Sequence, residues 1–276
     1  MKIGVFDSGV GGITVLSELR RSLGPVDYVY LGDTAHVPYG TKSPAQIEKL
    51  SLDCARTLKS KSIDALVVAC NTASSWAFEV IETLMHPIPV FGVVGPGVES
   101  ALASLLTLQG QKQDPPILVL ATRATVASHA YGKALNKILQ PGWAPEQESA
   151  RVIEQACPLL VPMIEEGWID HSILHLTIAE YVKPHLSRFK TGVALLGCTH
   201  YPWIHAAFEK AMPGWTVVNS ARAVTESLQK SAFFQKWEGF PEAVVSASAA
   251  KATGSVEWIF TDPEAVPAFA KKYMQI

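Results

Sequence analysis

The sequence predicts an α/β fold of two similar domains. Each is a mostly parallel sheet flanked by helices, and a pseudo-two-fold axis relates them with the candidate site in the cleft between. Three observations carry this. Strand-like apolar runs alternate with helix-like amphipathic runs from the first residues onward, the mark of parallel sheets covered on both faces. The alternation breaks at a polar, proline-containing stretch, residues 109–116, and then begins again. Finally, one cysteine-bearing corner occurs twice, as "ALVVACNTASS" at 65–75 and "VALLGCTHYPW" at 193–203.

The elements follow in order. "KIGVFD" is a first buried strand ending on Asp7, and "SGVGG" leads into "ITVLSELRRSL", whose apolar residues recur at helical spacing. "DYVYLGD" is a second strand, followed by the loop "TAHVPYGTKSP" and a helix from 44 to about 59. "DALVVAC" is a third strand, "TASSWAFEVIETLM" a third helix and "IPVFGVV" a fourth strand. The second series opens with the strand "ILVLATRAT" and the helix "VASHAYGKALNKIL". "PGWAPEQESA" is a loop, 164–189 is largely helical, "GVALLGC" is a strand and "YPWIHAAFEKAM" a helix. "WTVVNS" precedes another helix, the alanine- and serine-rich stretch 246–255 reads as a surface loop, and "VEWIFTD" is a late strand. That last material is too small for a third core, so it is expected to return to the first half. The domains are then 1–96 with 221–276, and 97–220.

Composition narrows the function classes. Hydrophobic residues make up 48% and charged residues 17% of 276, which fits a compact globule rather than disorder. With 23 basic against 25 acidic residues there is no cationic excess to neutralise phosphates, so no nucleic-acid partner is expected. No apolar run approaches the ~20 residues of a membrane helix, so no membrane partner is expected either. "MKIGVFDSG" is too short in its apolar part for an export signal. Together with four widely spaced cysteines and no CxxC pair, this predicts a reducing, cytoplasmic setting with free thiols.

The repeated corner is where chemistry is expected. In parallel sheets, ligands bind beyond the carboxyl ends of the strands, where loops run into helix starts. Cys70 and Cys198 would sit at such ends, and the unpaired N–H groups of a helix start favour thiolate over thiol. Asn71, Thr72 and Thr199 are short polar residues suited to capping and to gripping a carboxylate. Asp7 would share the sheet edge of Cys70 and could relay a proton beside it. His200 lies two residues after Cys198 and could play the matching part. Cys54 and Cys157 lack this context and read as buried structural residues. Two thiols facing one another suit inversion at carbon: one removes a proton from one face, and the other delivers a proton to the opposite face.

The stretches "GVFDSGVGGITVL", "YLGDTAHVPYGTKS", "VVACNTASS", "ATRATVASHAY", "ACPLLVPMIEEG" and "LLGCTHYP" follow one another along most of the chain. In them the sequence resembles the glutamate racemases of the cofactor-independent aspartate/glutamate racemase superfamily. The resemblance implies interconversion of L- and D-glutamate without pyridoxal phosphate or metal, D-glutamate supply for peptidoglycan, and a homodimer. It assigns Cys70 to D-glutamate and Cys198 to L-glutamate as acid/base thiols, with Asp7 and His200 as helpers and Glu165 as a further acidic residue. Ser8, Tyr39, Gly40, Asn71, Thr72, Thr122, Thr199 and His200, with Asp7, match positions that hold the substrate. Three residues depart from the usual pattern: His36 stands for arginine, Gly95 for glutamate and Asn219 for aspartate.

Other readings are weaker. "SGVGG" lacks both the dinucleotide GxGxxG spacing and the lysine of a P-loop. "CNTASSW" has no arginine for a cysteine phosphatase, and "CTH" has no standard zinc spacing. An aspartate racemase of the same superfamily differs by one substrate methylene, about 1–3 kcal/mol in a pocket. A catalytically inactive relative that binds another protein would not need both thiols, Asp7 and His200. Cys70→Ala and Cys198→Ala are each expected to abolish racemisation. One-sided exchange of the α-proton with solvent, or elimination from a halogenated analogue, should partly survive. Full racemase activity in either variant would remove the two-thiol account.

Overall fold

The computed structural model describes residues 1–108, 115–139, 151–237 and 254–275. Most of the polar break at 109–116, the loop at 141–150 and most of 246–255 lie outside the described residues.

Nine strands form two wholly parallel sheets among the described residues. The first holds β1 (Lys2–Asp7), β2 (Asp27–Gly32), β3 (Ala65–Val68), β4 (Val90–Gly92) and β9 (Val256–Phe260), in the order β4-β3-β1-β2-β9. The second holds β5 (Ile117–Ala121), β6 (Val152–Ala156), β7 (Gly192–Gly197) and β8 (Trp215–Asn219), in the order β6-β5-β7-β8. Read from the other edge, the second order repeats the first: fourth, third, first, second. The two-domain α/β class is therefore as the sequence predicts. The late strand returns to the first sheet, with Tyr28 opposite Val256 and Gly32 opposite Phe260.

Alternation along the strands builds three cores. Ile3 and Val5 of β1, Val67 of β3, and Leu118, Leu120, Ala194 and Leu196 of the second sheet all join one continuous apolar cluster. Their sequence neighbours point the opposite way: Phe6, Leu66 and Val68 into one outer core, Ile117, Val119, Val193 and Leu195 into another. Strands buried on both faces explain the near-continuous apolar runs.

Helices cover these faces. α1 (Ile13–Leu23) buries Ile13, Leu16, Leu19 and Leu23, a stripe at helical spacing. α2 (Pro44–Lys59) starts where Pro44 follows Ser43, whose hydroxyl caps Gln46 while the Gln46 side chain caps back. The expected third helix is two, α3 (Asn71–Trp76) and α4 (Phe78–Met85), because Ala77 leaves helical geometry at φ −121° and ψ 4°. Likewise α6 (Arg123–Ser128) and α7 (Ala130–Leu139) divide at His129, which is left-handed at φ 54°. The helical region expected at 164–189 is α8 (Leu160–Glu165) and α9 (Ser172–Arg188), separated where Gly167 takes φ 78°. The "YPWIHAAFEKAM" segment opens as a 3₁₀ turn, Tyr201–Ile204, before α10 (His205–Ala211). α11 (Ser220–Lys230), α12 (Ala232–Gln235) and α13 (Ala268–Lys271) complete the described set.

Besides α12, α13 and short 3₁₀ turns, one strand and one long helix lie outside the sequence expectation. α5 (Val94–Thr107) contains Pro96, but in the first turn, where its missing N–H has no helical partner to lose. β6 is an edge strand bearing Glu154 and Gln155, whose polarity hides it; their side chains bond His129 and His185.

The halves are joined by specific bonds as well as by the shared core. Trp76 of α3 donates its indole N–H to the Ala124 carbonyl of α6 at 2.8 Å. Trp76→Phe should cost about 1 kcal/mol of stability, read as a lower urea midpoint at unchanged slope; an unchanged midpoint would mean this bond contributes nothing.

Candidate active site

Each sheet has a point where connections leave in opposite directions, between β1 and β3 in the first and between β5 and β7 in the second. Such switch points open crevices at the strands' carboxyl ends. Asp7 ends β1 and Ser8 follows; Cys70 follows β3; Thr122 follows β5; Cys198 follows β7. The structure brings both crevices to one cavity of about 120 Å³. Its walls include Ser8, Tyr39, Gly40, Cys70, Asn71, Thr72, Thr122, Glu165, Cys198, Thr199 and His200. Of the residues singled out from sequence, Asp7 alone is behind the wall, fully buried.

The halves meet closely here. Thr14 of α1 donates to the Thr199 carbonyl at 2.8 Å, and the Thr199 hydroxyl donates to Asp7 Oδ1 at 3.2 Å. A Cβ on Gly11 would stand 2.3 Å from Thr199 Oγ1 and 2.4 Å from His200 Nδ1, so only glycine allows this approach. Gly40 does the same for the loop after β2, where a Cβ would lie 2.8 Å from the Thr122 Cβ. Three hydroxyls, Thr72 from the first half with Thr122 and Thr125 from the second, form a triangle with 3.0 Å sides.

The two thiols have different surroundings. Cys70 Sγ donates to Ser8 Oγ at 3.3 Å and accepts from the Ala73 N–H at 3.4 Å. Burial, reinforced by the Asp7 carboxylate, pushes this thiol up to about 12. The expected bias toward thiolate is thus not met at Cys70, because desolvation and the Asp7 charge outweigh the bonds to Ser8 and Ala73. Nor is Asp7 its hydrogen-bond partner: Ser8 takes that place, and Asp7 accepts from the Gly9 N–H and Thr199. Burial raises the Asp7 carboxyl above its ordinary range despite these bonds and the nearby His200 charge.

Cys198 Sγ lies 3.9 Å from His200 Nδ1, and His200 Nε2 lies 2.9 Å from Glu165 Oε1. Burial disfavours the imidazolium, but hydrogen bonds to Cys198 and Glu165 outweigh it and raise His200 to about 10. A charged ring therefore faces the second sulfur. Asn71 directs its amide oxygen at the Tyr131 hydroxyl, 2.6 Å away, and its Nδ2 has no partner among the described residues. An unpaired buried donor costs about 1–3 kcal/mol, so this nitrogen favours a ligand bearing an acceptor.

Sequence reasoning missed three contributors. Cys157 lines the cavity, its thiol bonded to the Gln155 carbonyl; it follows the strand that went unread. Tyr131 and Thr125 are separated from Asn71 and Thr72 by more than fifty positions, and only the fold joins them. No group of three or more His, Cys, Asp or Glu residues among the described ones is placed to hold a metal ion.

The family model for Asp/Glu/hydantoin racemases matches residues 13–228. The chain belongs to this family. Glutamate racemase from Aquifex aeolicus (strain VF5) is 42% identical over 262 residues, covering 95% of this chain and 89% of that one. The structure of glutamate racemase from Francisella tularensis in complex with D-glutamate is similar, with TM-score 0.78 and 29% identity over 100% of this chain and 94% of that one. A Thermus thermophilus glutamate racemase in complex with β-chloro-D-alanine gives TM-score 0.74 and 33% identity over 98% and 92%.

The departures from the family pattern are accommodated simply. His36 Nδ1 bonds Asp33 Oδ1 at 2.8 Å, and Asn219 caps α11 by accepting from the Ala221 N–H at 2.8 Å, as aspartate would. Gly95 has nothing within 4 Å of a built Cβ.

Glu165→Gln removes a carboxylate from His200 and should lower the histidine from about 10 toward its ordinary 6.5. A fall of about 1–2 units is expected in the imidazole NMR titration. The sign for stability follows. The charged ring's contribution is complete below pH 6.5 and is lost as pH rises through about 10. The variant should lose it at lower pH, and an unmoved His200 titration would show that Glu165 does not set its charge.

Proposed function

We propose that the chain is a glutamate racemase working by two-thiol proton transfer at the α-carbon. The observation that carries this is the placement of Cys70 and Cys198, from equivalent corners of two similar sheets, on one small cavity. The relatives named glutamate racemase, one of them bound to D-glutamate, support the substrate.

In the L-to-D direction Cys198 acts as thiolate beside the His200 imidazolium and removes the α-proton of L-glutamate. Cys70, held as thiol by burial and by Asp7, delivers a proton to the opposite face. The product is D-glutamate, with Cys70 left as thiolate and Cys198 as thiol. The reverse reaction starts from that state. Glu165 holds the His200 charge, and Ser8 orients the Cys70 sulfur. Asp7 ties the first corner to Thr199 and adjusts the acidity of Cys70.

The α-proton is far less acidic than a thiol, so negative charge developing on the substrate carboxylate needs stabilisation. Donors fixed before the reaction do this best. Asn71 Nδ2, Thr72, Thr122 and Thr199 are the side chains assigned to it, with Tyr39 and Gly40 closing the wall from the loop after β2. The reaction as read draws on no cofactor and no metal.

The domain assignment goes with this reading: 1–96 with 221–276 around the first sheet, and 97–220 around the second. Sheet membership supports it, including the pairing of β9 with β2. We further read the protein as a cytoplasmic homodimer that supplies D-glutamate for peptidoglycan synthesis. No helix among the described residues is long and apolar enough to cross a membrane.

The test is incubation of pure protein, without added cofactor, with L-glutamate and separately L-aspartate in heavy water. Optical rotation should vanish on glutamate alone while deuterium enters the α-carbon. Loss on aspartate alone would keep the mechanism and change the substrate; silence on both from folded protein would overturn the reading.

A further inference from the structure

Asn71 carries two chemically different edges on one side chain, and the protein commits only one of them. Oδ1 accepts a 2.6 Å bond from the Tyr131 hydroxyl, while Nδ2 is buried and unpartnered among the described residues. The two edges of a primary amide are nearly equal in shape, so packing alone does not decide which one faces Tyr131. A hydrogen-bond donor placed at one edge decides it.

Tyr131 is built to be that donor. It lies on α7 of the second half, and its side chain has no exposed surface. Burial, with the Cys198 sulfur nearby, raises its pKa well above the ordinary phenol range, so the hydroxyl keeps its proton. Two glycines make room for the ring. A Cβ on Gly97 would lie 3.2 Å from Cε1 and 3.3 Å from the hydroxyl oxygen, and one on Gly197 would lie 3.3 Å from Cε2. Gly197 directly precedes Cys198, and Asn71 directly follows Cys70. The strand end that carries one thiol thereby fixes the phenol that orients the amide beside the other.

We propose that Tyr131 is a positioning residue for Asn71: it holds the amide oxygen so that Nδ2 is offered to an anionic oxygen of the ligand. The identity of that anion, a carboxylate of the amino-acid substrate, rests on the glutamate racemase reading. The orientation of the amide does not.

The test is a double-mutant cycle on kcat/KM for L- and D-glutamate with Tyr131→Phe, Asn71→Ala and the pair. Tyr131→Phe should stay folded with a modestly lowered thermal midpoint and lose about tenfold in kcat/KM at a temperature well below it. In the Asn71→Ala background the same change should cost nothing further. Equal losses in both backgrounds would overturn the proposal, since Tyr131 would then act without Asn71. A second readout needs no turnover. In protein labelled with ¹⁵N at asparagine, the Asn71 Nδ2 signals, assigned by their loss in Asn71→Ala, should shift in Tyr131→Phe. Unmoved signals would also overturn it. Signals that shift in Tyr131→Phe while the wild-type protein is inactive on glutamate would uphold the positioning role and reject the substrate reading.

Discussion

The constraint on which the rest depends is the meeting of two sheet edges at their switch points. A parallel sheet gathers its loop chemistry at one end, and one such end offers a ligand a single face. Here two ends oppose each other over a cavity too small to tolerate slack. Cross-half bonds hold the distance: Asp7 to Thr199, Thr14 to the Thr199 carbonyl, and the Thr72–Thr122–Thr125 triangle. The bare backbone at Gly11 sets how near His200 and Thr199 come. Proton transfer to both faces of one carbon needs this opposition as well as the two groups that it brings together.

Symmetric placement does not give symmetric electrostatics. Each corner presents a cysteine after an interior strand, yet one sulfur has a hydroxyl and a buried carboxylate near it and the other a charged imidazole. Burial opposes charge in both places. At Cys70 it wins and the thiol is raised; at His200 the bonds to Cys198 and Glu165 win and the ring is charged. A reaction that uses one acid and one base at a time is served by that difference.

Much of this was legible in the sequence, and the reasons differ by element. β1, β3, β5 and β7 are buried on both faces, so their apolar runs announce them, and the residue after each run falls at the site. The helix over 44–59 is written in its capping box and proline. β6 escaped because an edge strand can carry Glu154 and Gln155 at side positions that bond helices, and Cys157 went with it. α5 was hidden by a glycine–proline start that is harmless in a first turn. The sequence puts Asp7 at the sheet edge of Cys70 but does not say which groups it bonds. Both lie at one sheet edge, but Ser8 is nearer the sulfur, and the carboxylate turns to the other half. Tyr131 could not be found from spacing, since its partner lies 60 positions away.

The C-terminal segment shows how far the coupling of the halves extends. Thr261, just past β9, donates to Asp33 Oδ1 at 2.7 Å, and Asp33 Oδ2 accepts from the cavity-wall Tyr39 at 2.6 Å. Thr34 and Asp262 exchange two further bonds beside them. Farther along, Phe269 and Tyr273 pack their rings on Trp203, at 5.0 and 5.3 Å, and Trp203 forms a T-shaped pair with His200 at 5.7 Å. One short stretch therefore braces the loop that walls the cavity from the first half and the histidine that faces Cys198 from the second. Both walls thus rest on contacts to this one stretch. The return of the chain to the first sheet thus does more than cover an edge: it makes the spacing of the two thiols a property of the whole fold.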